Sequence, residues 1–390
     1  MNSAMMIAAM IYSKYDGISK KICMQAKALS ANSSKSILLC LSENGIFQIN
    51  YENNSEIDKK LLVKYSQRKG ILPEADNIHD LLNVAKEVVA QHSFDIIYIR
   101  HMLPSTKLLS FLSFSRIKSK IVYEIPTFPY YREQFNISNN KIRTITKLCI
   151  ESAFWPFIYR RIDLLSIVRC RSNSLKLKKM FDMPNGYAGT LVKHGQRNCE
   201  NLVLLGVGTI YPYHGYKKVI SDMNRVGCKL NNGNNIEFHI VGESDEIDKL
   251  RVLVKKENME KNVYFYGKKY GDELNKLYKK ANMGVGTMAL SLRNADIDTA
   301  IKNIEYFANY LPVVSSGKVF SISSEEGLSI KINEENPIDF NELYTFMRCF
   351  YDNNSIENKI SELLDEYSWE TIMSNIKNEV LDEVKCKERL

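Results

Sequence analysis

The sequence predicts an α/β protein made of two doubly wound, parallel sheets in tandem. Three observations lead there. The chain has 390 residues, too long for one ordinary core and suited to two domains of roughly 150–200 residues. Short apolar runs of strand length alternate with amphipathic stretches of helix length through both halves. The composition is 45% apolar, 25% charged and 10% aromatic, which excludes disordered, collagen-like and low-complexity classes.

In the first half, strands are read near 5–10, 36–41, 96–99, 120–125 and 164–168. In the second half they fall at 202–206, 236–241, 263–266, 283–286 and 312–314, with helices between them at 216–226, 246–256, 272–280 and 299–309. A strand followed by a helix and another strand pairs in parallel, so each half becomes a Rossmann-like domain and a cleft separates them. The stretch 184–201, rich in Gly, Asn and other polar residues, is the expected joint. The tail from 355 onward reads as two amphipathic helices, with Ser368 as N-cap of the second. Such a helix either flanks its own domain or returns to the first. The expected division is 1–190 for a first Rossmann-like domain, 198–365 for a second, and 366–390 for a helix packing towards the first domain.

The eight cysteines stand at 23, 40, 149, 170, 199, 228, 349 and 386, with no CxxC pair. They give neither a zinc pattern nor a disulfide framework, so free thiols in a reducing compartment and no metal are expected. The N-terminal apolar stretch has strand length and no basic leader, unlike a signal peptide. No run approaches the ~20 apolar residues of a spanning helix. A cytoplasmic protein, peripheral on the inner face of the membrane, is expected. The net charge of +8 is uneven. Residues 100–180 hold 16 Lys and Arg against 4 Asp and Glu, net +12. A basic face suits nucleic acid or an anionic membrane, and no nucleic-acid motif accompanies it. Trp155, Phe157, Arg160 and Arg161 interleave aromatics with cations in that region, as membrane-contact residues do. The run 108–114 adds a second apolar patch. Core packing is the competing reading of both.

Three constellations could carry chemistry. Gly206 and Gly208 follow a strand and precede Tyr211, Pro212, Tyr213, His214 and Gly215 at a helix start. A glycine turn there lets a phosphate approach backbone amides, and His214 can donate to an anion. The dinucleotide fingerprint fails, because Tyr211 stands where its third glycine belongs. Asp16 and Gly17 open a helix carrying Lys20 and Lys21, a candidate facing wall. Arg293, Asp296, Asp298, Lys302 and Glu305 form the densest set. Lys302 and Glu305 are three apart and share a helix face. Glu305 can accept two hydroxyls, and Lys302 with Arg293 can hold a diphosphate. On spacing alone, the pair also describes a surface ion pair.

The ordered series resembles the nucleotide-sugar domain of GT-B glycosyltransferases. It runs through Gly206, Gly208, His214, Gly215, then Phe238 to Glu243 with Gly242, then Val263, Phe265 and Gly267, then Leu274, Tyr278 and Ala281, then Lys302, Glu305, Tyr306 and Ala308, then Pro312 to Val314. It is most similar to the retaining family-4 type, in the branch of bacterial capsule and exopolysaccharide clusters. In the first half Asp16 to Ile22, Tyr98 to His101 and Glu124 to Tyr130 are similar too. The resemblance implies a transferase that moves a sugar from a nucleotide diphosphate sugar to an acceptor hydroxyl on a lipid-linked or growing surface polysaccharide, with no cofactor or metal. It implies catalytic roles for Lys302, Glu305, Arg293 and Asp298. It implies donor contacts at Gly17, Gly208, His214, Gly215, Gly242, Gly267 and Tyr306, and acceptor-side roles for His101 and Glu124. It also implies a glycan or polyprenyl-diphosphate-linked acceptor. Where the family has a first glutamate, position 297 is Ile, flanked by Asp296 and Asp298. The usual Arg and Lys after the glycine turn are Thr209 and His214, and the family's histidine near position 126 is Pro126. The alternatives are a sugar-nucleotide 2-epimerase of the same fold and a non-catalytic GT-B partner subunit.

Overall fold

The computed structural model describes residues 3–13, 17–31, 34–64, 73–138, 140–192, 197–320 and 327–387. Asp16 lies outside them. The first apolar run becomes β1 (Ser3–Ile11), the centre of an eight-stranded sheet. Its neighbours are β2 (Lys35–Leu41) on one side and β5 (Ile96–Arg100) on the other, both parallel to it. The sheet continues through β6 (Lys120–Phe128) and β7 (Leu164–Arg169) to the short β8 (Met180–Asp182), all parallel. Helices α1 (Gly17–Leu29), α2 (Pro73–Gln91), α3 (Thr106–Ser115), α4 (Tyr131–Ile137) and α5 (Lys141–Tyr159) connect and flank them.

One edge departs from the expectation. The strands β3 (Gly45–Glu52) and β4 (Ser55–Lys64) form an antiparallel hairpin on β2. Asn53 and Asn54 turn it, both with positive φ (49° and 58°), which a tight hairpin turn demands and asparagine tolerates. β4 is exposed along almost its whole length, so it has no apolar alternation to read.

The second sheet has six parallel strands in the order β11 (Val263–Phe265), β10 (Ile236–Val241), β9 (Leu202–Val207), β12 (Met283–Val285), β14 (Val313–Ser315) and β16 (Ser329–Lys331). A small side pair joins β13 (Ile297–Asp298) to β15 (Lys318–Val319). Its helices are α6 (Tyr216–Arg225), α7 (Asp245–Lys256), α8 (Gly271–Lys280), α9 (Ile301–Ala308), α10 (Phe340–Asp352) and α11 (Ile356–Glu366). The near-continuous burial of β9 and β10 reflects helices on both faces of a parallel sheet.

The last helix, α12 (Trp369–Lys387), returns to the first unit. Trp369, Ile372, Met373, Ile376 and Val380 are buried in the same cluster as Met6, Ile22 and Leu38. The Ser368 hydroxyl accepts from Thr371 N–H at 3.1 Å, the capping contact read from the sequence. The outgoing and returning chains pair where they cross. Tyr187 N–H donates to Tyr367 O at 2.8 Å, and Trp369 N–H donates to Tyr187 O at 3.1 Å.

Candidate active site in the cleft

Strand ends build the second unit's face of the cleft. At the carboxyl ends of β9, β10 and β11 three glycines stack in turn. Gly208 N–H donates to Val241 O, and Gly242 N–H donates to Gly267 O. Gly208 has φ +130° and open space where a Cβ would stand. Gly242 (φ +139°) lies so close that its Cβ would meet Gly208 O at 1.8 Å. The crevice outside the carboxyl ends of a parallel sheet is where such folds bind ligands.

A cavity of about 190 Å³ joins the two units here, bounded by Gly17, Lys20, Gly208, Lys302, Glu305 and Trp369 among others. Two helices start at it, α1 from the first unit with Gly17 and α9 from the second with Ile301. Helix N-termini present free N–H groups and positive dipole ends, so the pair makes an anion seat. Gly17 has nothing within 4 Å of its Cβ position, leaving its backbone open.

Lys302 is buried in this wall. Its Nζ donates to Tyr216 Oη at 3.1 Å and to Gly286 O at 2.9 Å. Burial pulls its pKa down to about 7, opposed by the Asp298 carboxylate and assisted by the Arg293 cation. Glu305 is half-buried one turn on. Burial raises its carboxyl above the usual range, while the Lys20 ammonium and the Tyr278 phenol pull the other way. The cavity thus holds an exposed cation, a buried amine and a carboxylate.

His214 sits behind this wall. Its Nδ1 accepts from Tyr211 N–H at 2.9 Å, so the neutral ring carries its proton on Nε2 and can donate from there. Burial, with Lys302 and Arg293 nearby, pushes the imidazole well below its usual pKa. His214 is therefore a neutral donor, not an imidazolium. Gly215 (φ +67°) starts α6, and a Cβ there would lie 2.8 Å from Met288.

Several expected site residues are placed elsewhere. Asp298 is fully buried and accepts from Thr287 N–H (2.6 Å), Thr287 Oγ1 (3.0 Å), Ser315 Oγ (2.8 Å) and Ala300 N–H (3.2 Å). It ties β12 and β14 to the start of α9 and offers no free oxygen to a sugar. Tyr306 is likewise inside. Its Oη accepts from Val207 N–H at 2.9 Å and holds the end of β9. Ile297 packs in β13, and Asp296 accepts from Ser172 N–H at 2.8 Å, so both acids flanking position 297 serve the fold.

Arg293 is clasped by the first unit. Its Nη2 lies 2.7 Å from Glu133 Oε2, and its guanidinium stacks 4.8 Å over Tyr213. It does not line the cavity between α1 and α9. The clasp continues through Asn136 Nδ2, which donates to Leu292 O at 2.6 Å. Glu133→Gln is expected to lower stability by about 1–3 kcal/mol, because a buried guanidinium loses its charged acceptor. Thermal denaturation checks this.

Glu124 is fully buried. It pairs with Lys21 at 3.2 Å and Arg100 at 3.1 Å, and it accepts from Gln25 Nε2 at 3.1 Å. Burial alone would raise its pKa, but the two cations hold it below the usual value. The triad anchors α1 on the sheet, so Glu124 is not available to an acceptor. His101 does face a cavity, of about 430 Å³, with Thr127, Glu133, Gln134 and Lys147. Its Nε2 lies 3.3 Å from Glu151 Oε1, and its Nδ1 lies 3.2 Å from Tyr123 Oη.

Sequence reasoning missed Trp369, Tyr187 and Gly186, which also line the cavity between α1 and α9. A Cβ at 186 would lie 2.6 Å from the Trp369 ring, so glycine admits the indole. The joint's glycine was the one local signal. Among the described residues, no three His, Cys, Asp or Glu side chains come together as metal ligands.

Residues 191–324 match the family described as Glycosyl transferases group 1. That segment contains Gly208, His214, Lys302 and Glu305. No curated protein sequence matches the chain. Among solved structures, sucrose-phosphate synthase from Thermosynechococcus elongatus superposes with a TM-score of 0.64 at 14% identity, covering 99% of this chain and 100% of that one. Anabaena HepE in complex with UDP gives 0.59 at 13% identity, covering 97% and 99%. WaaG, a glycosyltransferase involved in lipopolysaccharide biosynthesis, gives 0.54 at 11% identity, covering 97% and 99%. The architecture is the GT-B fold, two Rossmann-like domains facing across a cleft. Its second domain carries the group 1 glycosyltransferase match.

Proposed function

We propose that this chain is a retaining, hexosyl-type glycosyltransferase of bacterial surface-polysaccharide assembly, which moves a sugar from a nucleotide diphosphate sugar to an acceptor hydroxyl. The observation that carries the reading is the cavity where the N-termini of α1 and α9 meet Lys302 and Glu305. A diphosphate would sit between the two helix starts, with Lys302 as its buried cation and Lys20 at its exposed side. Glu305 would accept from the ribose hydroxyls. As the bond from the sugar's anomeric carbon to the diphosphate oxygen breaks, charge collects on that oxygen. The acceptor oxygen forms the new bond, and its proton passes to the departing phosphate. A protein base is not required. Anabaena HepE has been seen with UDP and with UDP-glucose in the same fold, which favours a nucleotide donor here.

A thermal-shift screen of UDP-, GDP- and TDP-sugars tests the reading. A ligand at 100 times its dissociation constant adds about 2.7 kcal/mol. Stabilisation by one donor, with nucleoside diphosphate released only when acceptor is present, is expected. Binding without release would identify a non-catalytic GT-B subunit.

The acceptor side favours a lipid-linked substrate at an anionic membrane. No described helix is long and apolar enough to cross a membrane. The exposed face of α5 shows Ile142 (80% exposed), Ile145 and Phe157, flanked by Lys141, Arg143 and Arg160. Of the residues expected on this surface, Phe157 and Arg160 are exposed on it, and the others are placed differently. Leu108, Phe111 and Leu112 are core. Trp155 turns inward, edge-on to Tyr123 at 6.3 Å. Arg161 is tied to Ser113 Oγ and Phe157 O, both at 2.8 Å. Each cation at an anionic surface adds about 1 kcal/mol. Co-sedimentation with anionic vesicles at low salt is therefore expected, with marked weakening in an Ile142→Glu, Ile145→Glu variant. Equal binding by that variant would remove α5 from the contact.

A further inference from the structure

Behind α5 the first domain contains a second cavity, of about 340 Å³. That is within the size range of small-molecule sites. Its walls are Ile125, Phe128, Trp155, Ile158, Leu177 and Met180. Three polar groups of the lining, Tyr130, Glu151 and His101, belong to one hydrogen-bond network. Tyr130 Oη donates to Glu151 Oε2 at 2.7 Å, and His101 bridges Glu151 and Tyr123. A hydrocarbon guest would displace water from the apolar walls without breaking these bonds.

The mouth has a different character. Leu175 is 63% exposed there. Arg171 stands beside it, with no carboxylate paired to it among the described residues. The same segment is bonded across the domain seam. Cys170 O accepts from Asp296 N–H at 3.0 Å and Ile297 N–H at 3.1 Å, and Ser172 N–H donates to Asp296 Oδ1 at 2.8 Å. A head group held at Arg171 would lie at the edge of the cleft.

We propose that this chamber holds the hydrocarbon chain of an anionic amphiphile, a single alkyl or prenyl chain ending in a phosphate, with the phosphate at Arg171 on the domain seam. The inference rests on the transfer reading for its purpose, since it supplies the site for a lipid-phosphate-linked acceptor. Its test does not depend on transfer.

The chain has two tryptophans, Trp155 on the chamber wall and Trp369 at the donor-side cavity. The full-length protein is titrated with ω-bromoundecyl phosphate below its micelle concentration, reading bromine quenching of tryptophan fluorescence. Saturable quenching is expected in the wild type and its loss in Trp155→Phe, where Trp369 remains as reporter. Met180→Phe, which fills the chamber, is expected to weaken binding at least about tenfold. Arg171→Ala is expected to weaken the phosphate about tenfold but leave ω-bromoundecanol unchanged. Inorganic phosphate should not compete at comparable concentration. Undiminished quenching in Trp155→Phe overturns the proposal, as does unchanged affinity in Met180→Phe. Quenching seen only with brominated phospholipid vesicles, never with the monomer, places the chain in the bilayer and also overturns it. Donor stabilisation in the thermal-shift screen is read separately, so an empty chamber leaves the transfer reading standing.

Discussion

Replacing Glu305 by alanine is expected to reduce sugar transfer by about thirtyfold to a thousandfold while leaving the fold intact. The carboxylate lies at the cavity, half-buried, with its backbone secured in α9. Losing a charged acceptor for two hydroxyls costs about 2–4 kcal/mol of donor binding or transition-state stabilisation. The pH dependence gives an independent signature. Burial raises the Glu305 pKa in the empty site. The carboxylate therefore takes up its proton at a higher pH than an ordinary glutamate, and donor affinity falls as pH drops through that raised value. Glu305→Gln should lack this acid limb. Near-wild-type turnover in Glu305→Ala would remove the residue from the site.

Lys302→Met is expected to lower turnover by a comparable factor, with a smaller effect on donor affinity, and to leave thermal stability equal or higher. Charge grows on the departing diphosphate as the bond breaks, so a cation there acts most in the transition state. The stability side follows from linkage. With a native pKa near 7 and an unfolded value of about 10.4, the native state binds fewer protons between those values. Wild-type stability should therefore rise with pH across that window, and the rise should be absent in Lys302→Met. A buried amine that disfavours its own charge until an anion arrives is a functional group maintained against stability. Equal losses in turnover and affinity would make Lys302 a ground-state anchor.

The sequence was most legible where period and burial agree. The central strands of the second domain, such as β9, are short apolar runs, helices such as α6 and α8 carry clear amphipathic stripes, and the edge strand β16 (Ser329–Lys331), with its polar ends, gave no such signal. The β3–β4 hairpin was not legible, because β4 faces solvent along nearly all its length and lacks a buried face. Within the site, spacing brought Lys302 and Glu305 together correctly, since three residues on one helix fix their relation. It could not show that Asp298 turns inward, because that depends on donors from Thr287, just after β12, and from Ser315 on β14. The Arg293–Glu133 clasp and the Lys21–Glu124–Arg100 cluster join residues far apart in the chain, and no local pattern announces them. Trp155 was read as an interface aromatic from its neighbours in sequence. Its place on the chamber wall is set by the other side of α5.

The diphosphate seat is tested most directly by calorimetric titration of the wild type and Lys302→Met with UDP, GDP and TDP in two buffers of different ionisation enthalpy at pH 8. One nucleoside diphosphate should bind the wild type at a single site with net proton uptake, as the anion recharges Lys302. The same ligand should bind Lys302→Met more weakly and without that uptake. Binding by none of the three, or identical proton exchange in both proteins, would contradict a diphosphate seat between α1, α9 and Lys302.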